Sequence, residues 1–449
     1  MPEIKSKISM LDLGKWYQKI RLPDGVVTPG SDRKYVIEKV LNEDITGKSF
    51  LDVGCAERFF VFEALKRGAS RAVGIDINKE RIARAKSIAR ILGLAAEFYV
   101  ADIEKLEINE KFDIVFALNL LHHLKNPIDV LNKLASITRD KLILEIASFG
   151  DHDAKKLSLS KKDAKKLLKY PVIYVGRNGS SGANVEGTYY FSPQAITNML
   201  LFHRNDFAKV DVIPTAFKNR YLLIAHKRKI KKLTIIAGPH AVGKSYFVKE
   251  LLSMKLPKQI YDVLGLMKEV KYTLLAAKNI SYINKPYIEN CILHYDITRP
   301  IKRGGTNYER DEALNLIECA DDIAVVTLYA PAEILRQRLE ERMKIRKAAA
   351  FSKRRYRSSI ISIGYSAIKA IKPILPLKVR ELLKKLLPFT RHYRPLRSSD
   401  EMIYRIYHNP KSVDEIYQAW YKFIRSHKKI KHIIVDNTSE PKVIKVEIT

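Results

Sequence analysis

The stretch from Lys48 to Ile77, KSFLDVGCAERFFVFEALKRGASRAVGIDI, most constrains what this chain can fold into. Phe50, Leu51 and Val53 form an apolar run suited to a buried strand. Gly54 then gives a sharp turn, and a helix from about Phe59 stops at Gly68. A second apolar run, Ala72 to Ile75, ends on Asp76. Strand, tight turn, helix and a strand tipped by a carboxylate make the first unit of a doubly wound sheet that holds a nucleoside. The glycine lets backbone approach a ligand, and the carboxylate accepts from ribose hydroxyls.

The 449 residues are long for one core and suit two domains of about 200 residues each. Cys55, Cys291 and Cys319 lie far apart with no metal-like pairing, which fits a reducing cytoplasm. The first residues, MPEIKSKISMLDLG, lack the apolar core of a signal peptide, and no run of about 18 apolar residues predicts a membrane span. Charge is unevenly placed. Residues 341–397 hold 17 Lys and Arg against 2 acids, a net of +15 within the chain's +32. An anionic partner at that segment follows from this excess.

Before the first strand, Pro23-Asp24-Gly25 and Thr28-Pro29-Gly30 read as turns, in an arm carrying Trp16 and Tyr17. After Asp76, Ile82, Ala85, Ile88, Ala89 and Leu92 keep helical spacing up to Gly93. Glu97–Asp102 reads as a third strand tipped by an acid, Phe112–Leu118 as a fourth and Leu142–Ile146 as a fifth. Strands alternating with helices predict a parallel sheet with its ligand at the C-terminal strand edge. Residues 154–169 read as a lysine-rich amphipathic helix, and 178–182 as a loop beside it.

These motifs, in this order, resemble the class I S-adenosylmethionine (SAM) methyltransferases. The nearest branch is the carboxy-SAM-dependent tRNA wobble-uridine methyltransferases. The residues that carry the likeness are Trp16-Tyr17, Asp24-Gly25, Thr28-Pro29-Gly30, Asp52-Val53-Gly54 with Phe59–Ala64, and Asn119–Pro127. Tyr189–Pro193 adds to it, and the likeness spans about residues 10–228. It implies that Asp52, Gly54 and Cys55 sit near the methionine end of SAM. Asp76 and Ile77 would meet the ribose and Asp102 and Ile103 the adenine, with Asn119, Trp16 and Tyr17 closing the pocket. Two departures stand out. Ala56 and Arg58 occupy positions where glycines are usual, and His122 replaces the tyrosine of the carboxy-SAM enzymes, which favours ordinary SAM. Methyl transfer from a sulfonium is in-line displacement, so alignment does much of the work. A hydroxyl acceptor needs a base, for which His122 and His123 at a strand tip are candidates.

The second half begins after a basic stretch, residues 229–232, expected to be a linker. Leu233–Ala237 reads as a buried strand, followed by Gly238-Pro-His-Ala-Val-Gly243-Lys244-Ser245. This is GxxxxGK[ST] in strand–loop–helix context. Backbone amides of Gly238, His240, Ala241, Val242 and Gly243 would cradle phosphates, Lys244 would reach them, and Ser245 would ligate Mg²⁺. Asp296, ending the run Cys291–Asp296, is the candidate second Mg²⁺ ligand or base. Arg338 and Arg342, on a helix after the strand Ile323–Leu328, are candidate lid cations. Ile433–Asn437 reads as the last strand. The ensemble resembles small-molecule P-loop kinases, with hydrolase and sulfotransferase-like layouts as alternatives. Val379, Leu382, Leu383, Leu386 and Leu387 share one helical face inside the basic insertion 341–397. A membrane surface, a glycan intermediate, RNA phosphates or plain docking on the core each suit it.

The expected fold class is therefore α/β, with two doubly wound parallel-sheet domains (1–228 and 233–449) and a basic helical insertion. The leading functional expectation is a cytoplasmic SAM methyltransferase fused to an ATP- and Mg²⁺-binding kinase-like domain, acting on a glycan or other polyanion. An RNA-modifying methyltransferase with an RNA-positioning ATPase is the alternative, and a nucleotide-sensing scaffold with a degenerate SAM pocket the third.

Overall fold

The computed structural model describes residues 18–23, 25–56, 59–150, 155, 158–176, 188–265, 271–276, 280, 284–303, 305, 307–345 and 399–449. The chain divides into two compact units. The first comprises residues up to 230 together with 278–288 and 315–319, and the second comprises 231–277, 289–314 and 320–449.

In the first unit the apolar runs become strands because both their faces are covered. These are β1 (Ser49–Val53), β2 (Arg71–Asp76), β3 (Glu97–Val100), β4 (Phe112–Leu118), β5 (Thr138–Ala147), β8 (Phe207–Pro214) and β9 (Arg220–Lys227). Their spatial order is β3-β2-β1-β4-β5-β9-β8. β1 pairs in parallel with β2 and β4, β2 with β3, and β4 with β5, whereas β9 runs antiparallel to β5 and β8. Phe50, Phe60, Phe62 and Phe116 fill one side of the sheet, and Leu51, Val53, Val115 and Leu131 the other. Burial on both faces is why the central strands read as continuous apolar runs rather than alternating ones. Helix Lys79–Leu92 starts where the Asn78 side chain accepts from the Arg81 amide, and ends on Gly93 at φ +64°. β6 (Ile173–Gly176) and β7 (Thr188–Phe191) form a separate antiparallel pair.

The second sheet, lying in the second unit apart from the first two residues of β10 and of β12, comprises β10 (Lys229–Gly238), β11 (Thr273–Ala276), β12 (Tyr287–Asp296), β13 (Ala320–Tyr329), β14 (Ile430–Asp436) and β15 (Lys442–Ile448), ordered β11-β12-β10-β13-β14-β15. β11 and β12 pair in parallel, as do β13 and β14, and β15 is antiparallel to β14. Helix Pro410–Arg425 packs on the sheet through fully buried Trp420, whose indole donates to Thr327 Oγ1 at 2.9 Å. No helix among the described residues is long and apolar enough to cross a membrane.

Several expectations need correction. The basic stretch 229–232 is not a linker: it opens β10, and only Arg228 separates that strand from β9. Arg228 is itself buried, its guanidinium donating to the carbonyls of Asn205, Phe207, Ile280 and Lys285. Buried charge with matched acceptors behaves as core, not as solvated tether. The lysine-rich stretch 154–169 is not one continuous helix: residues 158–160 are non-helical, and helix Lys161–Leu167 starts where the Ser160 hydroxyl accepts from the Asp163 amide, while 154, 156 and 157 lie outside the described residues. The strand ending at Asp436 is not the last, since β15 follows it. Neither large sheet is wholly parallel, because β9 and β15 reverse direction. Trp16, Tyr17, Asp24, Arg58 and the insertion from residue 346 to 397 lie outside the described residues.

Candidate functional site

In the first unit the order of strands places the ends of β1, β2, β3 and β4 side by side, so Gly54, Asp76, Asp102 and Asn119 share one edge. Gly54 turns the chain at φ +72°, and a Cβ there would meet Leu120 Cδ1 at 3.1 Å. Its amide and that of Cys55 both donate to the Ile75 carbonyl, which folds the first loop back onto the tip of β2. Asp76 completes that fold. One carboxylate oxygen accepts from the Ala56 amide and the other from Asn78, each at 2.9 Å. Ala56 sits at φ +46°, the left-handed region where glycine is favoured. The loop thus keeps the glycine-like backbone without the glycine, at a conformational cost of about 1 kcal/mol, and the Asp76 carboxylate holds it there. Asp52 is buried at the end of β1, Asp102 accepts from the Glu104 amide, and Ile77 lies 68% exposed past Asp76.

The N-terminal arm reaches the same edge. Thr28 is buried, and its hydroxyl donates to the Gln18 carbonyl and accepts from the Ile20 amide. Gln18 Oε1 in turn accepts from the Phe59 amide at the start of the helix after the first loop. A Cβ on Gly30 would come within 2.2 Å of the Gln18 backbone, so the arm folds on itself only with glycine there. Arg33 ends the arm in an ion pair with Glu145 at 3.1 Å, with Glu145 fully buried on β5. Asn119 donates to the same carboxylate at 2.7 Å from φ +56°. Burial raises the Glu145 carboxyl above its ordinary range, opposed by Arg33, Arg220 and Asn119. Sequence reading missed Gln18, Arg33 and Glu145. An arginine shortly after the TPG turn and a lone glutamate inside an apolar strand were the available signals.

His122 and His123 form a short 3-10 turn beyond Asn119, their rings 4.0 Å apart. Burial, with His123 and Arg220 nearby, pushes the His122 imidazole down to about 3. Burial, with Arg220 and Arg81, also lowers His123. At that value the imidazole is unprotonated at neutral pH but only weakly basic, so the expectation of His122 as general base rests on a poor proton acceptor. Neutral His122, whose Nδ1 is buried without a partner, is suited to orienting a donor instead. A consequence can be measured. An imidazole with its folded value below its free value of about 6.5 stabilises the fold fully above that pH. The contribution is lost as pH falls toward about 3. Denaturant titrations should show a His122→Asn variant losing less stability than the parent chain between those limits.

In the second unit the loop Gly238–Ser245 leaves β10 and enters helix Lys244–Leu252. A Cβ on Gly238 would meet Val242 Cγ1 at 2.7 Å and the Leu328 carbonyl at 3.0 Å, and one on Gly243 (φ +99°) would meet Asn437 Nδ2 at 2.9 Å. Ala241 also lies at positive φ, +68°. Inside the loop Lys244 is buried, donating to the carbonyls of Gly238 (2.8 Å) and Pro239 (2.7 Å). Burial, together with Lys302 and Arg342 and against the pull of Asp296, brings its ammonium down to about 8. Ser245 Oγ lies 3.4 Å from His294 Nε2. His240 bridges two acids, with Nδ1 3.2 Å from Asp296 and Nε2 2.9 Å from Asp400.

Asp296 sits among cations. Although burial opposes its ionisation, Lys244, His240, Lys302 and Thr298 hold the carboxyl well below the usual range. Its oxygens accept from Thr298 twice, His240 and Lys302. A cation at Asp296 must therefore displace or share with those donors. Arg338 differs from its expected role. Its guanidinium donates to the carbonyls of Val242, Asn437 and Thr438, and Asn437 Nδ2 also donates to Val242. Arg338 and Asn437 together fix the loop's backbone, whereas Arg342 lies near enough to Lys244 to influence its charge. Asn437, Lys302 and Asp400 escaped the sequence reading because they come from three distant segments. No group of three or more His, Cys, Asp or Glu able to hold a metal occurs among the described residues.

The first unit, with its parallel central strands and acid-tipped turns, has a Rossmann-like arrangement. Residues 45–189 match the family described as a methyltransferase domain. Curated relatives include the tRNA U34 carboxymethyltransferase of Idiomarina loihiensis, 30% identical over 109 residues, covering 23% of this chain and 34% of that one. The enzyme of the same name from Klebsiella pneumoniae subsp. pneumoniae is 35% identical over 108 residues, covering 23% and 32%. The chain thus spans about a third of the length of these relatives. Among solved structures, the N-terminal domain of EvdMO1 with SAH bound is similar at 18% identity, over 51% of this chain and 98% of that one, with a TM-score of 0.40. Magnesium protoporphyrin IX methyltransferase from Synechocystis PCC 6803 with bound SAH is 21% identical, over 43% and 81%, at 0.32.

Proposed function

We propose that the first unit transfers a methyl group from SAM, and that the second binds ATP through Gly238–Ser245 as a kinase-like phosphotransferase. Both would act on one polyanionic acceptor, a glycan intermediate being the leading class. The observation that carries the methyl-transfer reading is the Asp76 carboxylate, which holds the Gly54–Ala56 turn while standing at the tip of β2. A cradle that only glycine fills at position 54, and a buried Asn119 Oδ1 without a partner, suit a polar adenosine-bearing ligand along this edge. The cofactor would supply an electrophilic methyl group. Asp76 and Asp102 would hold its ribose and adenine, and neutral His122 would orient the acceptor. For ATP, the tightly wrapped loop with Lys244 inside it supports phosphate binding. Ser245 would take Mg²⁺, and the saturated Asp296 suits a hydrogen-bonded rather than direct contact.

Isothermal titration calorimetry of the full chain with SAM and with ATP tests both halves separately. Heat of binding for each is expected; a flat SAM trace would sink the methyl-transfer reading, and a flat ATP trace the second. A second reading takes RNA as acceptor. The similarity to tRNA U34 carboxymethyltransferases and the 17 basic residues in 341–397 favour it. RNA affinity that falls steeply with salt and disappears when 341–397 is deleted would select RNA over a glycan.

A further inference from the structure

β15 pairs with β14 on one side and, among the described residues, with no strand on the other. Such an edge presents a row of backbone donors and acceptors, and soluble proteins usually blunt it with charge, proline or a covering element. Here apolar residues spaced two apart stand in the open: Ile444 is 57% exposed, Val446 45% and Ile448 81%. Between them alternate Lys445 and Glu447, ion-paired to each other, with Arg425 of helix Pro410–Arg425 at 3.4 Å from Glu447.

We propose that β15 pairs antiparallel with β15 of a second copy of this chain, joining two six-stranded sheets across a two-fold axis at Val446. The axis of a symmetric antiparallel pair is perpendicular to the sheet, so residues opposite each other lie on the same face and the axis falls on a residue. The available positions are few. An axis at Lys445 sets lysine against lysine, and one at Glu447 sets glutamate against glutamate. An axis at Ile444 falls where β15 carries one extra residue against Ile434 and Val435 of β14. Of residues 444–447, Val446 remains. There Lys445 faces Glu447 of the second copy, and the reciprocal pair forms by symmetry. Val446 meets its own counterpart, and Ile444 approaches Ile448. The strand is thus complementary to itself in charge and in apolar pattern at one register, which is what an isologous contact requires.

Sedimentation equilibrium of the full chain over a wide concentration range tests this. A reversible monomer–dimer equilibrium is expected. Lys445→Glu and Glu447→Lys, each placing like charges opposite one another, should weaken it by about tenfold or more. The double variant Lys445→Glu with Glu447→Lys restores opposite charges in the same register and should recover the dimer. Circular dichroism melts of the single variants separate lost association from lost folding. A chain monomeric at every concentration overturns the proposal. So does a dimer that ignores both single reversals, or a double variant no better than either single one.

Discussion

Replacing Lys244 with alanine is expected to lower the affinity for ATP by about 10²–10³-fold, the effect of removing one preorganised donor to developing or fixed phosphate charge. The SAM heat should stay unchanged, because Lys244 belongs to the second unit alone. The expectation follows from the loop's construction. Among the described residues, Arg338 is tied to three carbonyls and Lys302 to Asp296. The Lys244 ammonium lies inside the loop, on the carbonyls of Gly238 and Pro239. The variant leaves those two carbonyls without their donor, so a melt of the unliganded protein must accompany the titration. A second readout is pH. With the ammonium held near 8 by burial, affinity in the parent chain should decline as pH rises through that value. An alanine variant that binds ATP as tightly as its parent would show that this loop cradles no phosphate.

Asp76→Ala should reduce SAM affinity by about 10²-fold, since a hydrogen bond to a charged group contributes roughly 1.5–3 kcal/mol and two ribose hydroxyls are involved. It should also destabilise the first unit without ligand. Ala56, at φ +46°, would lose the carboxylate that accepts its amide. Asp76→Asn narrows the comparison, because its one amide oxygen can still accept from Ala56 while the negative charge and the acceptor for Asn78 are gone. Calorimetry and thermal melts of both variants decide. Unchanged SAM affinity in Asp76→Ala would move the cofactor's ribose away from β2.

The parts of this fold legible in the sequence were those whose residues are adjacent in the chain. Strand, glycine turn, helix and acid-tipped strand follow one another between Lys48 and Ile77, and the phosphate-type loop is one unbroken octapeptide. β8 and β15 were overlooked because their exposed positions interrupt the apolar run, β15 reading exposed at five of its seven residues. What sets the character of each site is non-local. Arg33 meets Glu145 across more than a hundred residues of chain, and His240 meets Asp400 across an even longer stretch. No periodicity announces such pairs. The tuning of His122 was equally hidden, because two adjacent histidines at a strand tip look the same whether solvated or buried.

The junction at Arg228 bears on how this protein can be taken apart. One residue separates β9 from β10, and a fragment ending at residue 230 is not the first unit. Such a fragment lacks 278–288 and 315–319, so Arg228 forfeits the carbonyls of Ile280 and Lys285, and the Arg204 carbonyl loses the amide of Asn315. Genetic dissection at the boundary between the two halves would consequently report on misfolding of the first unit, and point substitutions are the sound way to test the role proposed for either half.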